Sequence, residues 1–165
     1  MNKRHFLGTA ALAGLLPSLN ASAAGPTRKS PGLLTVSGAV GKTNRGPVDP
    51  ALDQLMAKHG VKFDKAFVFD AEALHSLPVV RIKPTLEYDA KVHALAGPLL
   101  TSVMEAAGVA ADAMLALRAV DGYVVPLRMA DARSYRMIVA TEIDGGPSPP
   151  SASGPPSISV ATIIR

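Results

Sequence analysis

Apolar and polar positions along the chain change rhythm several times, and each change marks an expected element. From Leu33 onward the segment LTVSGAV has the pattern of a short strand, with Gly38 at a bend or bulge. A polar loop, GKTNRGP, follows. Asp49-Pro50 reads as an N-cap and first helical residue, Leu52, Leu55 and Met56 then fall on one helix face, and Gly60 closes that helix. Ala66 to Phe69 suits a strand, Asp70 caps a single helical turn through Leu74, and Leu77-Pro78 ends it. Val79, Val80 and Ile82 make another strand, and LEYDAKVHA is a polar connection with a short strand around Val92.

The longest coherent pattern runs from Ala96 to Asp144. Gly97-Pro98 sets the entry to a helix, with Pro tolerated at the first position because its missing N–H would be unpaired anyway. Leu99, Leu100, Val103, Met104 and Ala107 form one stripe, and Gly108 is the expected left-handed residue after the helix. Ala113 to Val120 and Tyr123 to Leu127 flank Asp121-Gly122, which predicts a hairpin; Pro126 implies an edge position or an early end to pairing. Asp131 to Tyr135 reads as a polar bend, and Met137 to Ile143 as a strand running into an Asp144-Gly145-Gly146 turn. The run from Gly145 to Pro156 is rich in Pro and Ser.

The beginning of the chain has a different character. Residues 1–23 read as an export signal: Lys3 and Arg4, an apolar run from Phe6 to Leu16, and an Ala21-Ser22-Ala23 cleavage site. That run is too short to span a membrane, so no span is expected after cleavage. The segment KRHFLGTAALAG fits both an ordinary secretory signal and a twin-arginine-like one with Lys3 in place of the first Arg. Either route predicts a periplasmic or otherwise exported protein. Residues 24–32 form a flexible lead, and 33–165 a single domain carrying the Pro/Ser-rich segment 145–156.

Composition then narrows the chemistry. With 48% hydrophobic and 4% aromatic residues and no Trp, the core must be aliphatic and Met-rich. The formal net charge is +4, and removing Lys3 and Arg4 leaves +2, too little to argue for a nucleic-acid surface. Absence of Cys excludes disulfides, thiolate metal ligands, Cys nucleophiles and Fe–S ligation. His5, His59, His75 and His93 show no metal spacing and read as ordinary surface imidazoles. No G-x-S-x-G elbow and no Gly-rich phosphate loop occur, so no residue is assigned a catalytic or metal-binding role. Arg81 and Lys83 share one face of their strand, as a solvated basic edge or as an anion-facing wall.

The succession LTVSGAVGKTN, FDAEALHSLP, PT, AGPLLTSVMEAAG, AVDGYVVPLRMAD, IVATEIDG and GPPSISV resembles the oxidoreductase molybdopterin-binding domain of the sulfite oxidase type, in particular its small exported versions. The resemblance covers roughly residues 33–161 and rests on ordered short blocks. It implies an α+β fold, a compact mixed β-sheet domain with a few short helices. Full members of that family ligate molybdenum with a Cys near the place where Pro84-Thr85 stands here. The small exported versions commonly carry Thr in that region and an aromatic soon after, which Tyr88 represents. The resemblance therefore implies a cofactor-binding cleft at Arg81, Lys83, Thr85, Tyr88, Asp121 and Tyr123, with Arg81 and Lys83 holding a phosphate.

Three functions follow. The first is an exported, non-redox binding or signalling module for a small anionic ligand, with no cofactor. The second is a molybdopterin-dependent oxidoreductase without a Cys ligand to the metal. The third is a structural protein that docks another exported or membrane protein and leaves its cleft unused. Zero Cys favours the first.

Overall fold

The computed structural model describes residues 30–86, 89–147 and 158–164, so the expected signal, most of the lead, and residues 148–157 lie outside the described residues. It shows a small mixed α+β domain with two sheets, largely antiparallel, and a few short helices. Strands β1 (Leu34–Ser37), β2 (Ala66–Phe69), β5 (Met114–Ala119), β6 (Val124–Arg128) and β9 (Ile158–Ile164) make the first sheet in the order β2-β1-β9-β5-β6. Its one parallel pair is β1 with β9; the others run antiparallel. The second sheet is antiparallel throughout and has the order β3-β4-β7-β8, from Val79–Ile82, Leu95–Pro98, Glu142–Ile143 and Gly146–Pro147.

Among the described residues four short helices complete the fold: α1 (Gln54–Lys58), α2 (Ala71–His75), α3 (Leu100–Ala106) and α4 (Met129–Ser134). Side chains alternate along a strand, so Leu115 and Leu117 of β5 face one way, as do Leu34 and Val36 of β1. Those four join Leu74 of α2, Leu100, Val103 and Met104 of α3, and Met129 and Ala132 of α4 in one buried cluster. Leu, Val, Met and Phe69 fill it, as the scarcity of aromatic residues requires.

Several expected elements hold because a single local interaction defines each. The Asp70 carboxylate accepts a hydrogen bond from the Ala73 amide at 2.9 Å, capping α2 where the sequence places the cap. Gly108 closes α3 at φ +74°. The hairpin β5-β6 turns at Gly122, φ +93°, with Asp121 Oδ1 accepting from the Tyr123 amide at 2.9 Å. Pro126 lies in β6, the outer strand of its sheet, where a missing N–H costs no ladder bond.

Other expectations need correction. Pro98 is not the first helical residue: it ends β4, and Leu99 is the N-cap of α3. The segment from Asp131 to Tyr135 is not a bend: Asp131 to Ser134 belong to α4, which begins at Met129, and Tyr135 is its C-cap. Only Glu142–Ile143 of the expected Met137–Ile143 strand is regular. Upstream of it the chain follows β4 through separate bonds, Val139 N–H to Pro98 O and Thr141 N–H to Ala96 O, both 2.8 Å. The Asp49-Pro50 helix start is also displaced. Asp49 instead closes a turn by accepting from Ala51 N–H, and α1 starts four residues after Pro50, at Gln54. Leu52 therefore precedes the helix and is 84% exposed, and Leu55 is 47% exposed, so the expected buried stripe does not form. No helix among the described residues is long and apolar enough to cross a membrane.

Candidate functional site

The described residues expected to share a cleft lie on or beside strands of two different sheets. Arg81 is in β3, the outer strand of the second sheet, and Lys83 and Thr85 follow it; all three are exposed. Thr85 forms an isolated bridge with Val92, which supplies the short pairing expected there. Asp121 and Tyr123 sit at the β5-β6 turn of the first sheet, Tyr123 exposed and the Asp121 carboxylate engaged in its own turn. Among the described residues, no hydrogen bond or ion pair joins Arg81, Lys83 or Thr85 to Asp121 or Tyr123. Tyr88 lies outside the described residues.

A molybdenum centre of the kind the resemblance implies needs a thiolate and a convergent set of donors. The chain has no Cys, and no three His, Asp or Glu side chains among the described residues are grouped to hold a metal. Thr85 offers a neutral hydroxyl on an exposed bridge. These residues do not assemble that donor set.

Two concavities are built from other residues. The larger, about 700 Å³, lies where β1 ends and β5 begins, and is lined by the 38–41 loop, Lys65, Gly108, Ala110, Asp112, Ala113 and Met114. Its floor is a close backbone crossing. Gly41 N–H donates to Gly108 O at 3.1 Å, and a Cβ on Gly108 would sit 2.9 Å from the Gly41 Cα. Small residues at that crossing leave the space open; Lys65 and Asp112 bring one cation and one carboxylate to it.

The smaller concavity, about 220 Å³, lies at the other end of β5, between that strand and α1. Six residues of β5 at about 3.4 Å each put roughly 17 Å between its two ends.

Neither a protein-family model nor a curated protein matches the chain.

One polar cluster escaped the sequence reading. His93 is not an ordinary surface imidazole: its Nδ1 lies 2.6 Å from Asp144 Oδ2 and its Nε2 2.7 Å from Asp89 Oδ2. An ionised carboxylate only accepts, so both ring nitrogens must carry protons and the ring is an imidazolium. The hydrogen bond to Asp144, and then that to Asp89, raises the His93 pKa above its ordinary value. Asp144 is held below the usual carboxylate range by the Ala94 amide and then by His93, and Asp89 by His93 and then by the Lys91 amide. The cluster ties the 84–93 connection, which carries Thr85, to the β7-β8 turn. Asp144 and Gly145 form that turn with positive φ at both positions, 50° and 83°, as a two-residue hairpin loop requires. The Asp89-x-x-x-His93 spacing was visible in the chain, but Asp144 lies 51 positions from His93, and no local signal joins them.

The sign of the resulting pH dependence is fixed. A raised His pKa gives stability that is complete below about pH 6.5 and is lost as pH rises through the folded value. The lowered Asp values give stability present above about pH 4 and lost as pH falls through their folded values. The clamp is thus complete in mildly acidic solution. The stability advantage of the native chain over His93→Gln is expected to be largest near about pH 5.5 and to shrink toward about pH 8.5. Urea midpoints of both proteins across that range check it, and a gap independent of pH would refute the imidazolium assignment.

Proposed function

We propose that the protein is an exported, non-redox module that binds a small ligand on a fold of the molybdopterin-domain type. One observation carries this reading: the 700 Å³ hollow at the end of β1, floored by the Gly41–Gly108 crossing. Its size is that of a metabolite site, since small-molecule clefts run from about 300 to 1,000 Å³. The ligand carries an anionic group for Lys65 and a hydrogen-bond donor for Asp112. The absence of Cys supports the non-redox reading over the oxidoreductase one, because the thiolate that the resemblance calls for has no source in the chain.

A thermal-shift screen of small anions and metabolites tests this. A ligand at a hundredfold excess over its Kd stabilises by about 2.7 kcal/mol, which reads as a rise of several degrees. Lys65→Ala abolishes the shift and Arg81→Ala leaves it unchanged. The reading fails if no compound shifts the native chain. It fails equally if protein from its native host contains stoichiometric molybdenum and pterin.

Docking of another exported or membrane protein is a second reading, favoured by the outer strand β3. There Val79 and Ile82 are both exposed, and the outer edge of β3 has no strand paired to it among the described residues. Loss of co-purifying protein on Ile82→Lys would support it at the expense of the small-ligand reading.

A further inference from the structure

The groove between α1 and the end of β5 has an unusual combination of walls. Leu52, Leu55, Met56, Val61, Ala119 and Val120 make them apolar. Leu52 and Leu55 remain exposed beside the groove although their type favours burial. Arg118 enters from the strand. It alternates away from Leu115 and Leu117, so it points off the core face of the sheet toward this groove.

Arg118 is half-buried, yet among the described residues no carboxylate pairs with it. Among the described residues its one hydrogen bond is a long 3.3 Å contact from Nη1 to the Gly122 carbonyl. A guanidinium carries five N–H donors in a planar fork suited to a carboxylate, so most of this recognition capacity is unused. The acid that lines the groove, Asp53, does not serve it. Asp53 is taken by the Arg45 guanidinium and by the Asp49 amide at 2.9 Å. At the turn, the ring of His59 packs so closely on Gly122 that its Nδ1 would lie 2.5 Å from a Cβ added there. That close packing fixes the rim next to Arg118.

We propose that this groove binds a small monocarboxylate with an apolar body, its carboxylate on the Arg118 guanidinium and its body against Leu52, Leu55, Met56 and Val61. Charge complementarity selects the anion, and apolar walls select the body. A volume of 220 Å³ equals about seven water molecules at ~30 Å³ each, which suits a medium-chain or phenyl-substituted acid. The site is distinct from the hollow at the opposite end of β5 and does not depend on it.

Sodium octanoate titrated into the full folded chain, followed by amide and methyl NMR shifts, tests the proposal. Saturable shifts are expected at Leu52, Leu55, Met56, Ala119 and Val120, with a Kd of about a millimolar or below, as befits a ligand of this size. Arg118→Gln weakens octanoate by at least about tenfold, the loss of one charge-assisted contact, while leaving the weaker binding of 1-octanol unchanged. Leu55→Ser, at an exposed position that the fold does not need, weakens both ligands. Equal affinity of the native chain for octanol and octanoate overturns the anion assignment. No saturation by about 5 mM overturns the site. Shifts confined to Lys65, Gly108 and Asp112 would move binding to the hollow, and shifts at the groove that follow protein concentration without ligand would assign it to a second copy of the chain.

Discussion

Gly97→Ala is expected to remove at least about 3 kcal/mol of stability, enough to leave a marginal domain largely unfolded. Gly97 lies in β4, paired with Val80 of β3 on one side. On the other side the 138–141 segment runs so close that an added Cβ would fall on the Val139 carbonyl oxygen, with the carbonyl carbon at 2.8 Å and the Ala140 Cα at 3.1 Å. All three are backbone atoms. No side chain can swing away to relieve the clash, and the segment is pinned on both sides by Val139 N–H to Pro98 O and Thr141 N–H to Ala96 O. Relief requires one of those bonds to break, leaving polar groups unpaired beside the buried Ala96 and Pro98. The control is Gly46→Ala, where nothing lies within 4 Å of the added carbon; its effect should stay within about 0.5 kcal/mol. Urea denaturation of the three proteins settles the matter through the midpoint at constant slope. A Gly97→Ala midpoint indistinguishable from that of Gly46→Ala would mean that the 138–141 segment has room to move.

Val103→Asp is the second change with a large expected effect. Val103 has no exposed surface and sits on α3 in the cluster with Leu100, Met104, Met129 and the β1 and β5 side chains. A carboxylate there loses its water and gains no cation, since no Lys, Arg or His belongs to that cluster. The variant should show no cooperative transition at neutral pH. Part of the loss should be recovered as pH falls, because the buried acid then binds a proton rather than remain charged. Val103→Ala supplies the comparison. It removes two methyl groups, costs roughly 1–3 kcal/mol, and should still melt as one transition. Circular dichroism melts of both variants at pH 7 and pH 5 test this, and a cooperative Val103→Asp melt close to that of Val103→Ala would show that the α3 face is open to water.

How much of this was legible in the chain depends on how local each signal is. The Asp70 cap, the Gly108 stop and the Asp121-Gly122 turn each lie within three or four residues of what they control, and they stand where the sequence predicts. The α3 stripe was legible for the same reason: Leu100, Val103, Met104 and Ala107 are enough repeats to set a phase. Helix α4 was not, because it offers only Met129 and Ala132 as buried positions among polar neighbours, too few to distinguish a turn of helix from a bend. Pro98 was misplaced because proline suits both a first helical turn and the end of a strand, and only the β4 pairing decides between them. The candidate site was less legible still. The resemblance places Thr85 and Asp121 together, but Thr85 lies on the connection after β3 and Asp121 in the β5-β6 turn of the other sheet. Arg118 was passed over as a strand residue, since nothing local says that its guanidinium lacks a carboxylate.

The place of β9 bears on when folding can happen. It lies between β1 and β5, so those two strands do not touch directly, and the pair Thr35 and Val160 stands 125 positions apart in the sequence. Closing a loop of that length must precede any gain from the contacts it makes, which places this sheet among slowly assembling topologies. During synthesis β1 can pair with β2, and β5 with β6, but the two pairs cannot join. The five-stranded layer is completed only once residues 158–164 have been made and can insert between β1 and β5.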